Sequence, residues 1–172
     1  MITIVLITKE GEFLMVFVES YLPSTSTMGL VEHRQKGFHT IIYDEKGTYY
    51  THETAKQLLN KACLHRLFTY EGRLQATRKQ LNYYKKTPLL ICHEELIYTF
   101  PTISPEEPGC CWIFPRHVQS HSSIKGKMVV CFKNGVKLPL NCSPHVYYKQ
   151  LDRATNCITY MLKNKEGSKI DS

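Results

Sequence analysis

The chain predicts an α+β fold, and three observations carry that prediction. Short β-rich runs punctuated by Gly, Pro and Asn fill the opening segment and most of the second half. Between them, Ala55, Leu58, Leu59, Ala62 and Cys63 recur at helical spacing in a segment crowded with bases. Near the end, Tyr147, Leu151, Ala154, Ile158 and Met161 step by four, three, four and three residues, which places them on one stripe of a helix. The expected architecture is N-terminal hairpins, a basic helical segment, a mostly antiparallel β-rich half and a C-terminal amphipathic helix. With 172 residues, residues 1–164 are expected to form a single α+β domain, and residues 165–172 a polar tail.

Each element has its own signal. Ile2–Ile7 and Phe13–Val18 flank Lys9-Glu10-Gly11-Glu12 and read as a hairpin, followed by a polar loop over Ser24–Met28. A second hairpin is expected from Phe38–Tyr43 and Thr48–Thr51. A helix should follow, with Thr51 as its N-cap and Glu53 in the first turn near the positive dipole end. Gly72 suggests an interruption, after which Leu74, Thr77, Arg78 and Leu81 continue the helical spacing. Leu89–Cys92, Leu96–Phe100 and Cys110–Phe114 read as short strands. Lys127–Phe132 and Val136–Leu140 flank Asn134-Gly135, a pair that favours a type I′ turn. Ser143 as N-cap and Pro144 at the first helical position open the final helix, which should end near Asn164. Its apolar stripe either packs on the sheet or forms a dimer contact.

Charge is distributed unevenly. The segment Lys56–Lys86 holds eight bases, Lys56, Lys61, Arg66, Arg73, Arg78, Lys79, Lys85 and Lys86, against one acid, Glu71. That excess equals the net charge of the whole chain, +7, so the remaining residues balance. Leu64, Phe68, Tyr70, Tyr83 and Tyr84 interleave with the bases, which suits a folded element better than a basic tail. Such clustering is the electrostatic footprint of a surface that meets polyphosphate. The competing reading is a solvated helix face with a charge bias.

Other chemistry is poorly supported. The apolar runs near the N-terminus fall short of the roughly 20 residues that span a bilayer, and no basic region precedes them as in a signal peptide. A soluble protein with reduced thiols is expected, since its seven Cys form no disulfide framework. His117-x3-His121 has ligand-like spacing, but the vicinal Cys110-Cys111 lacks the gap of paired zinc thiolates. No metal or other cofactor is expected. Gly-rich phosphate loops, G-x-S-x-G and H-E-x-x-H are absent from the sequence, which makes an enzyme the weaker class.

Several stretches, taken in order, resemble the competence transcription factor (ComK) family of low-GC Gram-positive bacteria. They are Glu19-Ser20-Tyr21, Lys61 through Phe68 with Tyr70-Glu71-Gly72-Arg73, and Lys85-Lys86-Thr87-Pro88-Leu89-Leu90-Ile91. Phe100 through Ser104, Cys111-Trp112-Ile113, His117-Val118, the Asn134-Gly135 hairpin and the terminal helix complete the series. The resemblance runs from about Glu19 to Lys163. It implies a non-enzymatic, cytoplasmic, nucleoid-associated activator of DNA-uptake genes that recognises AT-rich boxes in double-stranded DNA, largely through the minor groove. It also implies dimers or higher oligomers on DNA, engagement of RNA polymerase, and an adaptor that delivers the protein to a Clp protease.

On this reading Arg66, Arg73 and Arg78 would read the groove, while Lys61, Lys79, Lys85 and Lys86 neutralise phosphates. Residues 1–18 lack a family counterpart and are expected to be an extra hairpin or a misassigned start. The family's tail is longer, which bears on adaptor-controlled degradation and on activation. The alternatives are a shortened paralogue, a nucleic-acid accessory protein without promoter activation, and a cysteine-dependent enzyme.

Overall fold

A computed structural model of the chain describes residues 15–35 and 37–167. The expected first hairpin falls largely outside them. Val16–Val18, its described end, runs parallel to the edge of a sheet: Val18 N–H donates to Tyr50 C=O and Tyr50 N–H to Val16 C=O, both at 2.9 Å.

That sheet has six strands, in chain order β1 (Thr27–Gln35), β2 (Phe38–Asp44), β3 (Gly47–Thr51), β4 (Leu89–Cys92), β5 (Ile97–Pro101) and β6 (Cys111–Ile113). Their spatial order is β3-β2-β1-β6-β5-β4, with every named pair antiparallel. Three further strands, β7 (Val118–Ile124), β8 (Lys127–Phe132) and β9 (Lys137–Pro139), make a separate antiparallel sheet. The helices are α1 (Ala55–Leu64), α2 (Tyr70–Leu81) and α3 (Pro144–Gly167). The fold is α+β.

The large sheet is covered on both faces. Alternation along β6 shows how: Trp112 joins a core with Leu30, Ile42, Leu89 and Ile91 beneath α1 and α2. Its neighbours Cys111 and Ile113 point into the opposite core with Phe100, Phe132, Leu138 and Tyr147, beneath the small sheet and α3. Gly29 of β1 keeps this second core close. A Cβ there would stand 3.5 Å from the Phe132 ring and 3.4 Å from Trp112 C=O, so a larger side chain would push the small sheet away.

Several local expectations need correction. The central strand β1 begins inside the expected polar loop, because Thr27 and Met28 are buried strand residues. Strand β7, VQSHSSI, is not among the expected strands, and its exposed face explains its polar sequence. Thr54, not Thr51, caps α1, in a capping box with Gln57. Thr51 ends β3, and Glu53 lies before the helix, paired with Lys61 at 2.7 Å. The carboxylate at the helix start comes from β1 instead: buried Glu32 accepts from Ala55 N–H at 2.9 Å.

The helical break falls at His65–Thr69 rather than at Gly72. Gly72 lies in the first turn of α2 and donates its N–H to the Thr69 cap at 3.0 Å; a Cβ there would stand 2.8 Å from that Oγ1. The type I′ turn expected at Asn134-Gly135 also needs correction. Lys125 (φ 50°) and Gly126 (φ 77°) make the two-residue turn with both φ positive. At Asn134-Gly135 only Gly135 has positive φ, in a three-residue loop closed by Phe132 N–H to Val136 C=O at 2.9 Å. The final helix runs on to Gly167, and the Tyr147, Ala154 and Ile158 part of its stripe is buried. That stripe is core packing.

Candidate nucleic-acid interface

The basic segment folds into α1, the turn His65–Thr69, α2 and the loop 82–88 that leads into β4. Only Tyr70 and Leu74 of α2 are buried, so most of this helix faces solvent. Its C-terminal end and the following loop carry the freest bases. Lys79 and Lys85 are exposed, Lys86 is half-buried, and Tyr84 between them is 64% exposed. Two left-handed residues shape the loop: Asn82 (φ 58°), which caps α2, and Lys86 (φ 50°).

A groove of about 460 Å³ opens between α2, this loop and the segment 104–107. It brings Lys56, Arg78, Lys85 and Lys86 together, with Glu71, Glu106 and Glu107 also on its walls. Arg78 is fixed there by donating Nε–H to Thr87 Oγ1 at 3.2 Å. Lys56 pairs with Glu71 at 3.4 Å, both side chains more than half exposed, an arrangement of little energetic weight.

Lys61, Arg66, Arg73 and Lys79 do not line this groove. Lys61 is paired with Glu53. Arg66, its side chain 15% exposed, donates Nε–H and Nη2–H to one oxygen of Glu95 at 3.0 and 2.7 Å, and Nη1–H to Ala62 C=O at 3.1 Å. That hydrogen bond holds the Glu95 carboxyl below its ordinary range. Arg73 stacks its guanidinium 3.6 Å from the Phe68 ring centre and donates to Ile91 C=O at 3.4 Å. Burial lowers its pKa, and its buried Nε meets no acceptor among the described residues. These two arginines therefore clasp the α1–α2 turn, whose tip exposes Leu67 at 93% with φ 62°.

Other candidate chemistry is accounted for by packing. His117 bonds Thr25 C=O through Nε2 at 2.8 Å, while His121 packs its ring against Tyr147 and Tyr148. No three His, Cys, Asp or Glu side chains converge on a metal-sized site among the described residues. Burial pushes the thiols of Cys110, Cys111 and Cys157 up to about 12 and Cys63 to about 11, the reverse of nucleophile activation. No helix among the described residues is long and apolar enough to cross a membrane.

Reading the sequence missed the residues that support the loop. Gln150, Arg153, Asn156 and Tyr160 lie on one side of α3 and bond to the loop or to the end of α2. Their spacing of three, three and four residues is a second, polar stripe beside the apolar one, and it was available as a signal.

The ComK protein family model matches residues 18–166 of this chain. The match covers the large sheet, all three helices and the small sheet, and the chain belongs to the ComK family. It is also 25% identical over 156 residues to the competence transcription factor of Bacillus subtilis (strain 168), covering 90% of this chain and 79% of the relative. No solved structure matches it.

Proposed function

We propose that this ComK-family protein is a competence transcription regulator that binds AT-rich double-stranded DNA, largely through the minor groove, and activates DNA-uptake genes. The observation that carries the reading is the lysine-rich end of α2, where Lys79, Lys85 and Lys86 stand with exposed Tyr84. Lysines so placed neutralise phosphates irrespective of sequence. Lys61 joins them by exchanging Glu53 for a phosphate. Arg78 is held at the groove and is the arginine best placed to enter a narrow, strongly negative A-tract minor groove. Arg66 and Arg73 would read DNA only by giving up Glu95 and Phe68.

The protein acts in the cytoplasm at the nucleoid, as a homodimer or higher oligomer on DNA that engages RNA polymerase, with turnover through an adaptor of a Clp protease. Burial of the Tyr147, Ala154 and Ile158 stripe in the protomer supports self-association through another surface.

Competition between an AT-box duplex and a random duplex tests the specificity. The AT-box should compete at least about tenfold better, in line with one to three kcal/mol per discriminating position. Equal competition would reduce the function to general nucleic-acid binding. Arg73→Ala separates the roles of the arginines. If Arg73 reads DNA, the preference collapses while affinity for the random duplex persists; if it only clasps the turn, both affinities fall together.

A further inference from the structure

The loop that carries Lys85 and Lys86 is held both by α3 and from inside. Gln150 of α3, 2% exposed, donates Nε2–H to Lys86 C=O at 2.6 Å and to Pro101 C=O at 3.2 Å. Arg153, one turn further along, donates Nη1–H to Lys85 C=O at 3.0 Å and to Gln150 Oε1 at 3.2 Å. Its guanidinium also lies 5.0 Å from the Tyr83 ring centre, and Asn156 donates to the Tyr83 hydroxyl at 3.2 Å. From inside, Thr87 Oγ1–H donates to Tyr83 C=O at 2.6 Å while accepting from Arg78. Lys86 sits at φ 50°, a conformation that a non-glycine residue keeps only when its surroundings enforce it.

We propose that α3 is part of the DNA-binding apparatus, with Gln150 and Arg153 as positioning residues that lock loop 83–87 so that Lys85 and Lys86 meet DNA pre-arranged. The proposal rests on the reading that this loop contacts phosphates. Backbone carbonyls are the groups held, so the lysine side chains stay free for the ligand. Fixing the loop before binding removes an ordering cost from the binding step. Released, the same loop would still offer both charges, but only after being ordered on the DNA.

Affinity, its salt dependence and loop order in the free protein test this together. Arg153→Lys keeps the charge but removes the planar guanidinium whose Nη1 bonds Lys85 C=O and Gln150 Oε1 while its plane lies near the Tyr83 ring. It should weaken DNA binding about five- to tenfold with an unchanged salt slope. NMR order parameters of Tyr84–Thr87 should fall from about 0.85 towards 0.6. Gln150→Leu should act in the same direction; because Gln150 is buried and its loss could unfold the protein, the half-exposed Arg153 is the deciding position. Lys85→Ala with Lys86→Ala should do the reverse, flattening the slope by about 1.8 per protomer while leaving the loop ordered. Wild-type affinity for Arg153→Lys, or an ordered loop in Arg153→Ala, would overturn the positioning role. If the double alanine variant binds as wild type with an unchanged slope, the loop does not meet DNA and the underlying reading falls, whatever the order parameters show.

Discussion

His117 shows how one buried side chain makes stability depend on pH. Its ring is held by Thr25 C=O, and Glu45 lies 3.1 Å from Nδ1, yet burial outweighs both and lowers its pKa below the ordinary imidazole value. The unfolded chain therefore takes up the proton first as pH falls through about 6.5. Stability contributed by the neutral ring is present above that value and is lost as pH falls towards the lower folded-state value. Urea midpoints should decline as pH falls below about 6.5, and His117→Gln should flatten that part of the profile; an identical decline in the variant would assign it elsewhere. Thr54 acts without any charge. Its capping box satisfies helix-end donors of α1, and Thr54→Ala should cost about 1 kcal/mol in chemical denaturation. The same change at Thr51 would not remove a cap, since that residue ends β3.

At the scale of elements, legibility followed how much of the folding signal was local. Strands β4 and β8 and the opening of α3 were readable because apolar runs, turn residues and a Ser-Pro start lie within a few residues of one another. Strand β1 was not, although it is central, because Glu32 buries its carboxylate only by meeting the start of α1, more than twenty positions away. Gly72 suggests a break because glycine disfavours helix interiors, whereas here it leaves room for the Thr69 cap. The correction at Asn134-Gly135 has a similar origin. Asn-Gly suits a type I′ turn, but the strand pairing puts that turn at Lys125-Gly126 and forces a lysine into positive φ. Lys125→Gly should consequently stabilise the protein by up to about 1 kcal/mol, as relief of left-handed strain exceeds the entropy gained by the unfolded chain. Asn134→Gly should bring no such gain.

For the whole molecule, composition located the basic segment, but only the fold separates its charges into working groups. Lys61, Arg66 and Arg73 spend theirs on Glu53, Glu95 and the Phe68 ring, contacts between residues whose proximity no spacing rule reveals. Lys79, Lys85 and Lys86 remain available near the C-terminal end of α2, roughly 18 Å along the helix from the Leu67 turn. The family relation supplies the biological context, and the placement of these lysines supplies the physical handle on it. The most direct measurement is the affinity for an AT-rich duplex across a salt series, for the wild type and for Lys79→Ala, Lys85→Ala and Lys86→Ala combined. If the three lysines neutralise phosphates in each protomer of a dimer, the wild-type plot of log K against log salt should have a slope of about −5 or steeper, and the triple variant should lose about 5 from it. A triple variant whose slope matches the wild type would contradict phosphate contact by this surface.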